Sequence, residues 1–375
     1  MNVCILSMQR IDNMGSLLQA YALKKILEDL GLEVAYLDIK KIKEDYELLG
    51  DRRLQFNSEQ EKQGRFGKLS RVDAYVLGRI RNRLAARRQT ALFERFRAVA
   101  LNLDKTWREY DLCVIGSDEV FNCLGAGYWG FSSQLFGNVP EAHRIITYAA
   151  SCGATTYFDL PPCLVNRIRE TFQRISSFSV RDRNTMDFVK RLTDQEVFEH
   201  LDPVLIYDFS EELEQAQLPR LPNRYCLIYA YVNRIHNSED IRAILEFCRR
   251  HQMIPVSVGA SQFWCKKHIT CLPFSCMKMF ENAAYVITDT FHGTIFSVKY
   301  AKRFAVLPRK SNQNKLLDIA DRLEIRNHFI SNASQLEESY HRTEKDVGRI
   351  QSILEVEKSC ALSYLRRSIF DARQE

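Results

Sequence analysis

Four short polar segments in this 375-residue chain each follow an apolar run, and each carries groups able to handle an anion or a proton. The sharpest is Thr288-Asp289-Thr290-Phe291-His292-Gly293-Thr294. There an apolar run stops and a His-Gly-Thr turn opens a helix. Free N–H groups at a helix N-terminus, with a glycine permitting close approach, make an anion site. His292 can donate a hydrogen bond to phosphate or a proton to a reacting atom; its other use is to cap or pack the helix start. In Cys113-Val114-Ile115-Gly116-Ser117-Asp118-Glu119, Gly116 and Ser117 suit a tight turn. Asp118 then caps a helix or acts as a base toward a hydroxyl. Glu119 carries the same two readings or faces solvent, and Asn122 closes the segment. Arg181 stands where Phe178-Ser179-Val180 meets a loop, with the planar fork that fits carboxylate and phosphate. Its alternative is an ion pair with Asp182 or Asp202. Asn13-Met14-Gly15-Ser16 lies between a strand and a helix, so Gly15 and Ser16 line a second oxygen-rich turn, and Gln19 reads as the polar side of that helix. The segment lacks the Gly-x-Gly-x-x-Gly spacing and a Walker lysine, which argues against dinucleotide and P-loop chemistry. Cys265, Cys271 and Cys276 with His268 fit no common metal-site spacing, so no metal is expected.

The elements that must hold these groups alternate. Asn2–Met8 reads as a buried strand, Gly15–Leu30 as a helix stopped by Gly31, and Glu33–Ile39 as a second strand: a βαβ unit. Further strands are expected at Asp111–Ser117, Arg144–Ser151, Ser177–Arg181, Tyr225–Tyr231, Ile254–Val258, Ala284–Thr288 and Arg303–Leu307. Helices are expected at Asp240–His251, His292–Tyr300, Leu316–Leu323 and, as one long element, Ser334–Arg373. The pattern predicts two doubly wound, Rossmann-like α/β domains. They divide as residues 1–180, with a basic helical insertion over about 42–97, and 181–375, with the terminal helix. In open α/β sheets ligands bind beyond the carboxyl ends of the strands, which is where the four polar segments fall.

The composition is that of an ordinary globular protein, 46% hydrophobic and 27% charged. The eleven cysteines include no Cys-x-x-Cys, and Cys4, Cys113 and Cys226 sit in apolar strands; a reducing cytoplasm is the expected location. No run of 18 apolar residues would span a membrane, and the opening residues lack the core of a signal peptide. Of the net charge of +6, the stretch Arg65–Arg97 alone carries +8, leaving the rest slightly negative. Arg79, Arg81, Arg83, Arg87 and Arg88 on this helix face solvent or the anionic surface of the inner membrane leaflet. Aromatic residues are sparse around them and no recognised module is present, so nucleic acid is not an expected partner.

In their order these segments resemble the polysaccharide pyruvyl transferase family. The matching blocks are Asp12 to Leu23, Gly116 to Asn122, Tyr148 to Gly153, Ser179 to Asp182, Leu201 to Leu205 and Thr288 to Ser297, within about Val3 to Leu323. The resemblance implies a two-domain GT-B-like fold and phosphoenolpyruvate as donor. It implies a pyruvate ketal formed on a sugar of an exopolysaccharide or its undecaprenyl-linked precursor, with phosphate released and no cofactor. Carried onto this chain, it implies catalytic roles for His292 and Asp118 and donor binding by Arg181; the helix start itself adds Gly293, Thr294 and Thr290 as donor-side candidates. The residues themselves suggest Asn13, Gly15, Ser16, Ser117, Glu119 and Asn122 as acceptor-side candidates, with loops at Leu49–Arg71 and Gly125–Gln134 shaping the site. Many relatives carry Arg where this chain has Thr290; Arg309 and Lys315 are the cations available to replace it. Two other readings stay open: a glycosyltransferase using a nucleotide sugar, and a catalytically silent carbohydrate-binding relative.

Overall fold

The computed structural model describes residues 1–40, 42–49, 72–124, 130–232, 234–309, 313–342 and 346–371. The first domain is a six-stranded sheet in the order β2-β1-β3-β4-β5-β6. Its strands are β1 (Asn2–Leu6), β2 (Glu33–Tyr36), β3 (Tyr110–Asp118), β4 (Ala142–Ala150), β5 (Phe178–Val180) and β6 (Val197–Glu199). The second is a five-stranded sheet, β11-β10-β7-β8-β9, built from β7 (Tyr225–Tyr229), β8 (Ile254–Val258), β9 (Lys267–Ile269), β10 (Tyr285–Thr288) and β11 (Phe304–Val306). Every pairing is parallel. That follows from the sequence: runs such as Val3-Cys4-Ile5-Leu6 are apolar on both sides, as strands covered on both faces must be.

The strand orders fix where a ligand can enter. In the first sheet the direction of winding reverses between β1 and β3; in the second, between β7 and β10. At such switch points the flanking loops diverge and leave a crevice at the carboxyl ends. The helix α1 (Met14–Asp29) leaves the first crevice, and α2 (Phe291–Tyr300) leaves the second. The two crevices face each other.

Two boundaries differ from the sequence reading. The first sheet continues past residue 180, because Phe178 to Val180 pairs in register with Val197 to Glu199, so residues 181–199 belong to the first domain. The expected helix from Ser334 breaks: Leu336–Arg342 is one helix, and Asp346 caps a new one over Val347–Phe370 by accepting from the Arg349 N–H at 2.9 Å. That terminal helix returns to the first domain. Its Tyr364 hydroxyl donates to the Thr147 carbonyl (2.9 Å), and Ala361, Leu365 and Ile369 are fully buried. Among the described residues no helix is long and apolar enough to cross a membrane.

The insertion contributes a helix, Val72–Phe96. Gln89 on it exchanges two hydrogen bonds with the Cys271 backbone, Nε2 to O at 2.9 Å and N to Oε1 at 3.1 Å, and so docks the helix on the second domain. Arg87 and Arg88 are exposed. The side chains of Arg79, Arg81 and Arg83, residues 50–71 and residues 125–129 lie outside the described residues.

Candidate active site between the two domains

The first crevice is built on buried polar side chains. Gln19 is fully buried, contrary to its reading as a solvent-facing side chain, and donates to the Ser7 hydroxyl at 2.9 Å. Ser7 in turn donates to the Ser117 carbonyl. This chain ties the end of β1 to the end of β3. Asn13 caps α1, its side chain accepting from the Gly15 N–H at 2.7 Å. Ser16 donates to Asp118 Oδ2 at 2.6 Å. Asp118 has φ of +73°, a conformation that costs a non-glycine residue about 1–3 kcal/mol and so is held by its surroundings. No helix begins after it, so the helix-capping use is excluded and its carboxylate is left facing the crevice.

Arg181 projects from the end of β5. Its Nη1 donates to Asp202 Oδ2 at 3.0 Å and stands 4.0 Å from Asp118, and its guanidinium lies 4.3 Å over the Phe291 ring. Asp182 is otherwise engaged: it caps the helix Arg183–Lys190 and accepts from Ser151. The partner of Arg181 is therefore Asp202. Asp202 sits where the chain crosses between the domains. Its Oδ1 caps the turn at Val204 (3.0 Å), and its Oδ2 accepts from Ser117 (3.3 Å) as well as from Arg181.

His292 faces these groups from the second domain. Its Nε2 makes no hydrogen bond and lies 3.7 Å from Asp202 Oδ2. Burial pushes His292 below the ordinary histidine range; Asp118 and Asp202 pull the other way, and Arg181 and Lys315 reinforce burial. Burial therefore favours the neutral imidazole. In the free protein its NMR signal, assigned by its loss in His292→Gln, is expected to titrate with a midpoint below the ordinary value of about 6.5.

Thr290 caps α2 by accepting from the Gly293 N–H at 2.9 Å. The Thr294 N–H and hydroxyl both go to the Thr290 carbonyl. The amides of Gly293 and Thr294, expected to meet the donor's phosphate, are thus bonded within the helix start in this structure. The cations put forward in place of an Arg at Thr290 are both at hand. Arg309 pairs with the buried Asp289 (3.0 Å), and Lys315 reaches across to Glu119 (2.7 Å). Burial works against the Glu119 charge, but Lys315 outweighs it and holds the carboxyl at about 2. Glu119 also accepts from Asn122, whose Oδ1 accepts from Thr155.

Of the residues singled out in the sequence, Gly15, Ser16, Ser117, Asp118, Arg181 and His292 converge, with Asn13 and Thr290 capping the two helices behind them. Glu119 and Asn122 stand beside them. Sequence reasoning missed Asp202 as a member of the candidate site, although it offers Asp202 as an ion partner for Arg181 and includes it in the block Leu201 to Leu205. It also missed the wall. A cavity of about 370 Å³ opens beside His292, lined by Asn13, Met14, Gln89, Tyr231 and Gly259 among others, so the inserted helix closes one side. Cys271 and Cys276 lie side by side, but among the described residues Cys265 and His268 do not join them in a metal-binding group. Among the described residues the cluster able to hold a metal is His251, Glu337 and His341, in which both imidazoles already lie within hydrogen-bond distance of Glu337 Oε1 (2.9 and 3.2 Å).

The fold is shared with a putative UDP-N-acetylglucosamine 2-epimerase from Listeria monocytogenes, at TM-score 0.50 and 10% identity over 100% of this chain and 97% of that one. OtsA (0.49, 12%, 100% and 99%) and the S. aureus MnaA–UDP complex (0.46, 12%, 96% and 97%) have a similar outline. The arrangement is GT-B-like: two parallel α/β domains with a terminal helix. No curated protein matches the chain. The sequence model of one family does match, over residues 13–311, which takes in Ser16, Asp118, Arg181, Asp202 and His292; the chain belongs to the polysaccharide pyruvyl transferase family.

Proposed function

We propose that this transferase moves the pyruvyl group of phosphoenolpyruvate onto a sugar diol of a polysaccharide or its lipid-linked precursor, closing a cyclic ketal and releasing phosphate. The observation that carries the proposal is the convergence of His292, Asp118 and Arg181 from three strand ends and both domains. The chemistry needs three functions at one point: an anion holder, a proton source and a proton acceptor. Protonation of C3 makes C2 electrophilic. The first hydroxyl oxygen bonds to C2 and gives up its proton to Asp118. The second hydroxyl bonds to C2 as the bond from C2 to the phosphate oxygen breaks, and phosphate leaves with that electron pair. Of the two hydroxyl protons, one balances the proton gained at C3 and the other leaves with phosphate. Arg181 holds the donor's carboxylate or phosphate, and Ser16 orients Asp118. The exposed Arg87 and Arg88, on the helix whose other side lines the cavity, support an acceptor presented at an anionic membrane surface.

The test is calorimetric titration of the protein with phosphoenolpyruvate and, separately, with a panel of nucleotide sugars. Saturable binding of phosphoenolpyruvate is expected; binding of nucleotide sugars alone would overturn the reading in favour of glycosyl transfer. Arg181→Ala is expected to weaken donor affinity by about tenfold or more, the worth of a charge-assisted contact of about 1.5–3 kcal/mol. Asp118→Asn is expected to change it less. Equal affinities in the two variants would remove Arg181 from the donor pocket.

A further inference from the structure

The catalytic roles above leave one difficulty. Burial favours the neutral form of His292, whereas protonating C3 requires an acid. The charged groups that face it are Asp118 from the end of β3, Asp202 from the crossing between domains, Arg181 from the end of β5, and Lys315 from the helix Gln313–Arg322. Of these only Asp202 lies within reach of Nε2, and its nearer oxygen is already committed to Arg181 and Ser117.

Resting on the phosphoenolpyruvate reading, we propose that Asp202 is a positioning residue that exchanges partners when the donor binds. The donor's carboxylate or phosphate takes over Arg181, and the released Oδ2 accepts a hydrogen bond from Nε2 of a protonated His292. The geometry needs little movement. Closing 3.7 Å to the upper end of the N–H···O range, about 3.2 Å, asks for a shift of about 0.5 Å. The exchange also balances. Arg181 trades one anionic partner for another, and Asp202, too deeply buried to be left without a partner, gains a cationic one. Oδ1 keeps its bond to the Val204 N–H throughout, so the carboxylate can change one contact without losing its anchor. The proton comes from solvent on donor binding. Reprotonation after transfer to C3 is supplied by the acceptor's hydroxyl proton, so the cycle as a whole consumes none. The active acid is thereby assembled only with the donor in place.

The test is proton uptake on binding phosphoenolpyruvate, measured by calorimetry in buffers of different ionisation enthalpy at about pH 8. There a phosphate monoester, with a second pKa of about 6, takes up no proton itself. Wild-type protein is expected to take up a proton fraction approaching about one per donor bound. His292→Gln and Asp202→Asn are expected to bind the donor and take up almost none. Asparagine keeps the Oδ1 acceptor at Val204 and the side-chain shape, and thermal melting of the variant is the check that it folds. In wild-type protein the donor is expected to bring out a downfield Nε2 proton resonance of His292, which tests the contact without any variant. In turnover, Asp202→Asn is expected to lower kcat by about tenfold or more with a smaller change in KM. No binding of phosphoenolpyruvate by wild-type protein would overturn both the reading and this inference. Binding without proton uptake, or without the downfield resonance, would overturn the inference alone. So would uptake that persists in Asp202→Asn, since the donor's own charge would then suffice to protonate His292.

Discussion

Replacing His292 with glutamine is expected to lower pyruvyl transfer by about 10²–10⁴-fold, the usual worth of a positioned acid or base, while the protein stays folded and binds its donor. Three features of the site set this expectation. The ring is buried and its Nε2 is one of the few deeply placed polar atoms without a hydrogen bond, so no structural contact is lost through that atom. Glutamine is polar and of comparable reach, which avoids leaving a large void. On the function proposed above donor affinity rests on Arg181, which in this structure touches Asp202 and the Phe291 ring but forms no ion pair through His292. Phosphate release in the presence of acceptor, set beside calorimetric donor affinity, separates the two effects. Loss of rate and of donor binding together would make His292 a binding residue. Retention of rate would move the acid elsewhere, with Lys315, which also faces His292, as the cationic candidate.

The sequence showed the site's parts more clearly than their connections. The apolar run Asn2 to Leu6 and the strand ends at Asp118, Arg181 and Thr288 were legible because a parallel strand buried on both faces has no other polar outlet. Gly31 was legible as a helix stop: it has φ of +82° and its N–H closes on Glu28. What was not legible depended on contacts far apart in the chain. Residues 181–199 stayed with the first sheet because Val197 to Glu199, three residues long, found a partner in β5. No periodicity in so short a segment could announce that. The terminal helix returned to the first domain because Tyr364 and Leu365 had an apolar surface there to cover. Gln19 looked like a surface residue because its buried partner, Ser7, precedes it on a different element. Thr290, where the family resemblance leads one to expect an arginine, is a cap, and the two cations put forward in its place, Arg309 and Lys315, pair with Asp289 and Glu119. A threonine there satisfies the Gly293 amide, which an arginine side chain, carrying only donors, could not do.

Gly15→Ala is expected to cost about 10²-fold or more in rate, from a residue that performs no chemistry. A Cβ built on Gly15 would lie 2.1 Å from Cγ of His292 and 2.2 Å from its Nδ1, well inside contact distance. Neither side can give way cheaply. Gly15 is the second residue of α1, and its N–H is held by the Asn13 cap. His292 belongs to the first turn of α2, fixed by the Thr290 cap and by the rings of Phe291 and Phe296. The added methyl must therefore turn the imidazole or part the two helices, and a misplacement of about 1 Å at a reacting group can cost about 10²-fold. The stability cost is expected to be smaller in its consequences, about 1–3 kcal/mol for overpacking, leaving a folded protein in which to measure the rate. Gly348→Ala, in the terminal helix, is the matched control, because its nearest neighbour would be 3.8 Å away and ordinary contact results. Combining Gly15→Ala with His292→Gln decides the cause. If the glycine matters only by making room for the imidazole, the double variant should be no slower than His292→Gln alone. A further loss of the same size would mean that Gly15 serves the acceptor directly, and unaltered rates in Gly15→Ala would mean that the two domains do not approach this closely during turnover.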